Sequence, residues 1–403
     1  MTKILIAAVA ALAGTSAFSQ SNVAVHGTLD IGYTRVTGYA QGTVTQTSSG
    51  IMEGSRWSIS GDENLGGGYS ALFRLESRIE LDNGGQGNRP ASGNQLPDRL
   101  TAGLPASLAA GLTNAAIGPT LGVNLGNAVF DRQAYLGLVT PIGGFIVGRQ
   151  YTPGYEALTA FDIMHSQSAL STGQVAAIPS GADIRYNNAL QYRVVQGPWT
   201  ASLMYGFGEL NKSSGSRLLG INTIYKTDAY SVGFGYNTKN NSAGQQALKT
   251  TVLGASAFQG PWTLSGMLIR IQEPNSSVGP ELSAGLAALS TPAPLIATVL
   301  DRLKQDANGF HVGVRYDMGP AGQVTLAYNK INDKRASDAD TASYGVAYVY
   351  PLSKRTGLHA VLTRFRNSGT GQAAPGGGGY LGGVTAKAGQ DATSLAFGIR
   401  HEF

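Results

Sequence analysis

Tyr69-Ser70-Ala71-Leu72-Phe73-Arg74-Leu75-Glu76-Ser77-Arg78-Ile79-Glu80-Leu81 is the stretch that decides the fold. Taken alternately, one face carries Tyr69, Ala71, Phe73, Leu75, Ser77, Ile79 and Leu81, and the other Ser70, Leu72, Arg74, Glu76, Arg78 and Glu80. Successive side chains of a strand point to opposite sides, so this segment has one apolar face and one face bearing four charges. The same period of two runs through Val23–Tyr33, Trp199–Phe207, Tyr230–Tyr236, Phe310–Tyr316 and the terminal Ser394–Phe403. His359 to Phe365 is more ragged.

Extended along the chain, the pattern gives sixteen strands, at about residues 23–36, 54–61, 68–81, 130–140, 144–151, 185–194, 198–208, 216–227, 229–238, 248–258, 261–272, 308–318, 323–332, 342–351, 355–366 and 391–403. An even count lets both chain ends face the periplasm. Short connections carry turn chemistry, as in Asn64-Leu65-Gly66-Gly67, Pro141-Ile142-Gly143, Gln196-Gly197-Pro198, Gln259-Gly260-Pro261 and Gly319-Pro320-Ala321-Gly322. They alternate with longer segments, the largest being 82–129, 152–184, 273–307 and 367–390. Glu281–Asp306 has the composition of a short helix interrupted by Pro292 and Pro294. Gly376 to Gly379 reads as loop, with no strand-to-helix context for a phosphate site.

Composition narrows the setting. Charged residues are 13% of the chain, low for a soluble domain, while 56 glycines, 18 tyrosines and a mean hydropathy of −0.04 are far from a helical membrane protein. Lys3, the apolar Ile4 to Ala13, and Ala17-Phe18-Ser19 read as a signal peptide over residues 1–19, too short for a span. The remaining 403 − 19 = 384 residues form one domain, 20–403. Net charge is +5, and +4 once Lys3 is removed, with no basic stripe that would suit nucleic acid. Cysteine is absent, so no disulfide or thiolate metal site exists, and five scattered histidines offer no metal site or cofactor. No Gly-x-Ser-x-Gly, phosphate loop or His-Glu-x-x-His is present, so nothing points to an enzyme. A sandwich would bury the apolar faces against each other. Sixteen segments, alternating connection lengths and an aromatic C-terminal strand favour a closed transmembrane barrel, because in hydrocarbon each unpaired backbone group costs several kcal/mol and an open edge is excluded.

Several stretches are more specific than the alternation. Ser55-Arg56-Trp57-Ser58-Ile59-Ser60-Gly61, Glu63-Asn64-Leu65-Gly66-Gly67-Gly68 and Phe73-Arg74-Leu75-Glu76 resemble the second and third strands of Gram-negative general porins of the β-proteobacterial type. Arg132-Gln133-Ala134-Tyr135-Leu136-Gly137-Leu138 and Gly148-Arg149-Gln150-Tyr151-Thr152-Pro153 resemble the next two strands and the start of the third loop. Leu352-Ser353-Lys354-Arg355-Thr356 and Gly398-Ile399-Arg400-His401-Glu402-Phe403 resemble the last two. The motifs keep family order across nearly the whole mature chain. Two departures stand out: His26 where an aromatic is usual, and the long Ala-, Leu- and Gly-rich segment 82–129.

This resemblance implies an all-β, antiparallel sixteen-stranded barrel in the outer membrane, with the third extracellular loop folded inward. It further implies a homotrimer latched in part by the second loop, and a role for Phe403 in recognition by the assembly machinery. Outer-membrane lipid and lipopolysaccharide would surround it. Function would be passive diffusion of ions and small hydrophilic solutes. A substrate-specific channel of the same fold, an outer-membrane adhesin and a barrel phospholipase are the alternatives; a phospholipase would need a Ser/His pair on the outer face, and none is persuasive.

A pore selects by diameter and by the charge at its narrowest part. Alternation points Arg74, Glu76, Arg78 and Glu80 inward, together with Arg56, Arg185 and Arg193; the resemblance adds Arg132 and Arg149 near the constriction. Arg149 falls on the side of Phe145 and Val147 unless a bulge at Gly148 turns it. Glu156, Asp162 and Asp183 on the third loop, with His165 as a titrating group, are expected to face the arginines across the eyelet. The expected outcome is weak preference for small anions. Trp199, Trp262, Tyr348, Tyr350 and Phe403 fall at strand ends, where aromatic rings suit the membrane interface.

Overall fold

A computed structural model describes residues 22–86, 91–93, 95–121, 128–165, 168–176, 183–208, 214–288, 290–376 and 382–403. The leader expected at 1–19 and residues 377–379 of the glycine run lie outside the described residues. In chain order the strands are β1 (Asn22–Tyr39), β2 (Gly42–Ser49), β3 (Arg56–Gly66), β4 (Tyr69–Arg78), β5 (Gln133–Thr140), β6 (Gly143–Tyr151), β7 (Arg185–Gln196), β8 (Trp199–Gly206), β9 (Leu218–Lys226) and β10 (Tyr230–Asn240). They continue with β11 (Gln246–Gln259), β12 (Trp262–Gln272), β13 (Asp306–Asp317), β14 (Gln323–Asp333), β15 (Thr341–Pro351), β16 (Thr356–Asn367), the two-residue β17 (Ala373–Ala374) and β18 (Gly383–Val384), and β19 (Ala392–Glu402).

All neighbours pair antiparallel, and the wall closes on itself. β1 runs beside β19 from Thr28↔Glu402 to Thr37↔Thr393. The seam is finished by reciprocal backbone bonds between Gly27 and Phe403, each 3.1 Å. No edge is left for hydrocarbon to meet. β1 also pairs with β3 in its lower half (Asn22↔Asp62 to Thr28↔Arg56) and with β2 in its upper half (Ile31↔Ser49 to Val36↔Val44). β2 and β3 are therefore one stave, broken by residues 50–55. With that pair counted once, the barrel has sixteen staves. The alternation placed all sixteen but missed β2, whose Gly-Thr-Val-Thr-Gln-Thr-Ser-Ser carries one strong hydrophobe for its pattern.

Burial is inverted relative to a soluble protein. On β13, Phe310 and Val312 are 43% and 46% exposed while His311 between them is fully buried. Leu136, Leu138, Val147, Leu203, Leu253, Leu268, Leu326, Leu362 and Phe397 are exposed in the same way, and Ser58, Ser202, Asn222, Asn329, Ser343 and Thr363 are buried. An apolar outer skin over a polar interior is stable only with lipid outside. Tight turns lie at one end; Gly66, Gly67 and Gly68 take φ of +80°, +60° and +83°, a conformation that side chains bearing a Cβ resist. The long connections all lie at the other end.

Those connections build a roof. The second loop carries α1 (Asp98–Thr101) and α2 (Ala106–Leu121); the sixth carries α5 (Gly279–Ala288) and α6 (Ala293–Leu303). Between them in sequence are α3 (Pro153–Phe161) and α4 (Thr172–Ala176) of the third loop. The helix expected over Glu281–Asp306 is interrupted at the prolines as expected and forms two, with Pro292 at the N-cap of α6 and Pro294 in its first turn, where a missing N–H costs nothing. Leu96, Leu100 and Leu112 pack with Leu286, Ile296, Val299 and Leu303, and with Val384 of the last loop. Two guanidinium–carbonyl bonds stitch the loops: Arg99 to the Arg302 carbonyl at 3.0 Å and Arg302 to the Ala102 carbonyl at 2.6 Å. Burial lowers Arg99 to about 10, so it stays charged at neutral pH. The described part of the second loop packs on the sixth and last loops of its own chain.

Val299 is 1% exposed, so Val299→Asp buries a carboxylate in this roof and opens it at a cost of several kcal/mol. We expect trypsin to cut rapidly beside Arg99 and Arg302 in this variant while the barrel keeps its resistance to detergent; an uncut roof would contradict the packing described.

Candidate functional site

The interior is narrowed by the third loop, which leaves the top of β6 and lies along the inside of β8–β14. Its helix α3 starts where Thr152 caps it, accepting from the Tyr155 N–H at 3.4 Å, with Pro153 in the first turn. Wall asparagines hold the start of the helix: Asn237 accepts from the Gly154 N–H at 2.9 Å, and Asn222 donates to the Pro153 carbonyl at 3.1 Å. The helix lies flat because glycines stand on the wall where its residues come closest. A Cβ at Gly220, Gly235 or Gly254 would fall 2.7, 2.4 and 2.2 Å from Pro153, Ala157 and Phe161. Past the helix, His311 accepts from the Ile163 N–H at 3.0 Å, and Asn329 donates to the Leu170 carbonyl at 2.9 Å. The loop is built into the barrel.

The loop's carboxylates are occupied by its own anchoring. Asp162 is buried and accepts from the N–H groups of Met164 and Thr172 at 2.9 and 2.8 Å. Glu156 meets Arg193 at 3.0 Å and Asn222 at 2.8 Å on the wall. Asp183 pairs with Lys239 at 2.7 Å, and the His165 ring sits 3.2 Å from the Thr159 carbonyl. Of the three loop carboxylates expected to face wall arginines, Glu156 does so through Arg193, whereas Asp162 binds within its own loop and Asp183 binds Lys239.

On the opposite wall the arginines do converge. Glu76, 2% exposed, is bound by Arg132 at 2.7 Å and Arg74 at 2.6 Å, with Arg56 at 3.9 Å. Arg132 and Arg185 both donate to the Tyr151 hydroxyl, at 2.9 and 3.0 Å, and Arg185 lies over the Tyr151 ring at 4.6 Å. Tyr151 in turn stacks on Tyr155 of α3, which ties the arginine wall to the loop. Arg78 pairs with Glu80 and Asp131, both at 3.4 Å. Arg56 also pairs with Glu53, which meets Arg400 at 2.9 Å. Arg400 pairs with Glu402 as well, at 3.3 Å, so six guanidinium groups (Arg56, Arg74, Arg78, Arg132, Arg185, Arg400) stand against five carboxylates (Glu53, Glu76, Glu80, Asp131, Glu402), an excess of 6 − 5 = 1. Among the described residues Arg185 has no carboxylate within ion-pair reach.

Arg149 lies beside this group but on a different row. The irregularity near Gly148 exists, but the extra residue is on β7, opposite the step from Gly148 to Gln150. Arg149 stays paired with Ala134 on the row of Phe145 and Val147, bonded to the Asp131 carbonyl and the Asn187 side chain at 2.7 and 2.6 Å. Tyr151, Glu53 and Arg400 were not singled out from sequence. Tyr151 and Arg400 fall within the quoted family-like stretches Gly148–Pro153 and Gly398–Phe403 without a pore role being read for them, and Glu53 lies between Gly50 and Gly54, so the signals were local and faint.

A lipid-skinned closed wall around a charged, loop-narrowed lumen defines a transmembrane pore. Comparison with known sequences carries this further. A family model described as Gram-negative porin matches residues 6–370, and the chain belongs to that family. It is similar to outer membrane porin protein 32 of Delftia acidovorans, 27% identical over the full length of both chains. It is 25% identical to an outer membrane porin protein of Bordetella pertussis, over 91% of this chain and 95% of the other. Among solved structures, the anion-selective porin from Comamonas acidovorans superposes with a TM-score of 0.70 at 24% identity, covering 95% of this chain and all of that one. OmpT of Vibrio cholerae in its trimer form gives 0.61 at 12% identity, covering 96% and 100%. The protein is an outer-membrane porin, a channel for passive diffusion.

Gly254→Leu places side-chain carbon where Phe161 lies, and we expect the third loop to be driven off its seat. Single-channel conductance should fall or become noisy in a barrel that still folds; an unchanged, quiet conductance would count against the seat.

Proposed function

We propose that the constriction lies between α3 and the arginine wall, and that the pore prefers small anions. The convergence of Arg56, Arg74, Arg132 and Arg185 on one side of the lumen carries this reading. Their charge is under-compensated, because Glu76 answers three of them and the third loop's described carboxylates are committed elsewhere. In a narrow, partly desolvated passage such an excess attracts anions and repels cations. The relative from Comamonas acidovorans is named as anion-selective, which supports the same sign. Glu76 acts as the keystone that lets three cations, Arg56, Arg74 and Arg132, sit close together. A buried carboxylate so bonded is costly to remove, since its partners are left facing one another.

We further propose a trimer, the state in which OmpT of Vibrio cholerae is described. A secretory leader over 1–19, a lipid and lipopolysaccharide surround, and use of Phe403 by the assembly machinery complete the reading. Phe403 supports it by position: its backbone closes the seam with Gly27, and its ring covers the Gly27 backbone.

Reversal potentials across a salt gradient test the charge preference. The wild type should be anion-selective, and Arg185→Ala, which removes an uncompensated cation, should lower the anion-to-cation permeability ratio about twofold, as one unit charge about one Debye length, ~8 Å, from the path confers in ~0.15 M salt. Cation selectivity in the wild type would contradict the proposal.

A further inference from the structure

The break between β2 and β3 is a second inward element. Residues 50–55 leave the wall, enter the lumen and rejoin it six residues later. One side chain holds them. The Asp30 carboxylate accepts from the N–H groups of Ile51, Met52 and Glu53 at 3.1, 2.9 and 2.9 Å. Its backbone is committed to the same segment: the Asp30 carbonyl accepts from Gly50 N–H at 2.7 Å and from the Ser55 hydroxyl at 2.9 Å, and the Asp30 N–H donates to Ser55 Oγ at 3.0 Å. Gly50 begins the excursion with φ +74°, where a Cβ is disfavoured. Asp30 itself is fully buried, with His359 beside it at 3.4 Å.

What the segment presents to the lumen is specific. Ile51 and Met52 pack on Ile163, Met164 and Leu170 of the third loop. Glu53 reaches Arg56 and Arg400 from opposite sides. The segment therefore does two things at once: it buttresses the third loop from across the barrel, and it delivers a carboxylate into the arginine wall.

We propose that Asp30 is a positioning residue for permeation, holding residues 50–55 as a strap that completes the constriction and sets its charge through Glu53. This deepens the assignment of the eyelet and rests on it. Asp30 and Ile51 are buried, so three backbone donors converging on one carboxylate would be left unpaired without it, and the strap has no comparably satisfied position once the carboxylate is gone.

The chain contains no cysteine, so a single introduced thiol reports cleanly. Glu53→Gln should raise the anion-to-cation permeability ratio about twofold, the effect in ~0.15 M salt of deleting one charge about one Debye length, ~8 Å, from the path. Asp30→Ala should give the same shift together with a higher single-channel conductance, because the strap leaves the lumen as a body. Ile51→Ser with Met52→Ser, which loosens the strap without touching the wall, should reproduce the conductance rise if Asp30→Ala fails to assemble. Glu53→Cys should react with a cationic thiol reagent added to open channels, with a stepwise change in current. Folded Asp30→Ala and Ile51→Ser/Met52→Ser channels with wild-type conductance, or Glu53→Cys channels whose current ignores the reagent, would overturn the strap. Selectivity of the wild type is read separately, so an error in the sign assigned to the eyelet would show there and leave these differences between variants standing.

Discussion

Backbone hydrogen bonding in a solvent that offers none is the constraint on which the structure depends. Each peptide group facing hydrocarbon must find its partner in the protein, so the sheet must close and its last strand must lie on its first. The β1–β19 register, ten residue pairs from Thr28↔Glu402 to Thr37↔Thr393, meets that demand, and Phe403 completes it through Gly27. Side-chain alternation follows: with lipid outside and polar groups within, every stave must expose its hydrophobes and bury its serines, threonines and asparagines.

Closure creates a lumen, and the lumen's contents explain where alternation was easy to read. β4 is legible because its inward row is charged: Arg74, Glu76 and Arg78 contrast sharply with Phe73 and Leu75. β16 is ragged because its inward row includes Val361 and Phe365, which are buried against folded-in loops and never meet water. Val252, Met267, Ile269 and Ile331 blur their strands for the same reason, lying inward within an apolar cluster that includes the third loop's Phe161. A period of two measures the contrast between two faces, and where a loop fills the interior that contrast disappears although the strand remains.

Charge placement was half legible. Residues on strands could be assigned a face, and Arg56, Arg74, Glu76, Arg132 and Arg185 are found together. Residues on loops could not, because a loop has no period. Glu156 and Asp162 lie in the third loop as expected, but which way each faces depends on Asn222, Asn237 and His311, far away in sequence. Arg149 shows the limit of local argument: its strand is irregular at the expected place, yet the additional residue belongs to the partner strand, so its face is unchanged. The strap and the helical roof were hidden for the opposite reason. Their components are weakly patterned alone and acquire order by packing on one another, Leu100 on Val299 and Met52 beside Ile163.

Taken together, a rigid closed wall supports three inward or overlying elements, and function is set by how they are fastened to it. Wall glycines seat the third loop, a buried aspartate holds the strap, and a single glutamate gathers arginines whose charge exceeds its own. Amide hydrogen exchange on the protein in lipid bilayers tests the central requirement of closure most directly. The account predicts that β1 amides between Thr28 and Thr37 and β19 amides between Thr393 and Glu402 exchange as slowly as those of interior staves such as β12 and β13. Rapid exchange confined to that seam would show an open edge and contradict the barrel as described.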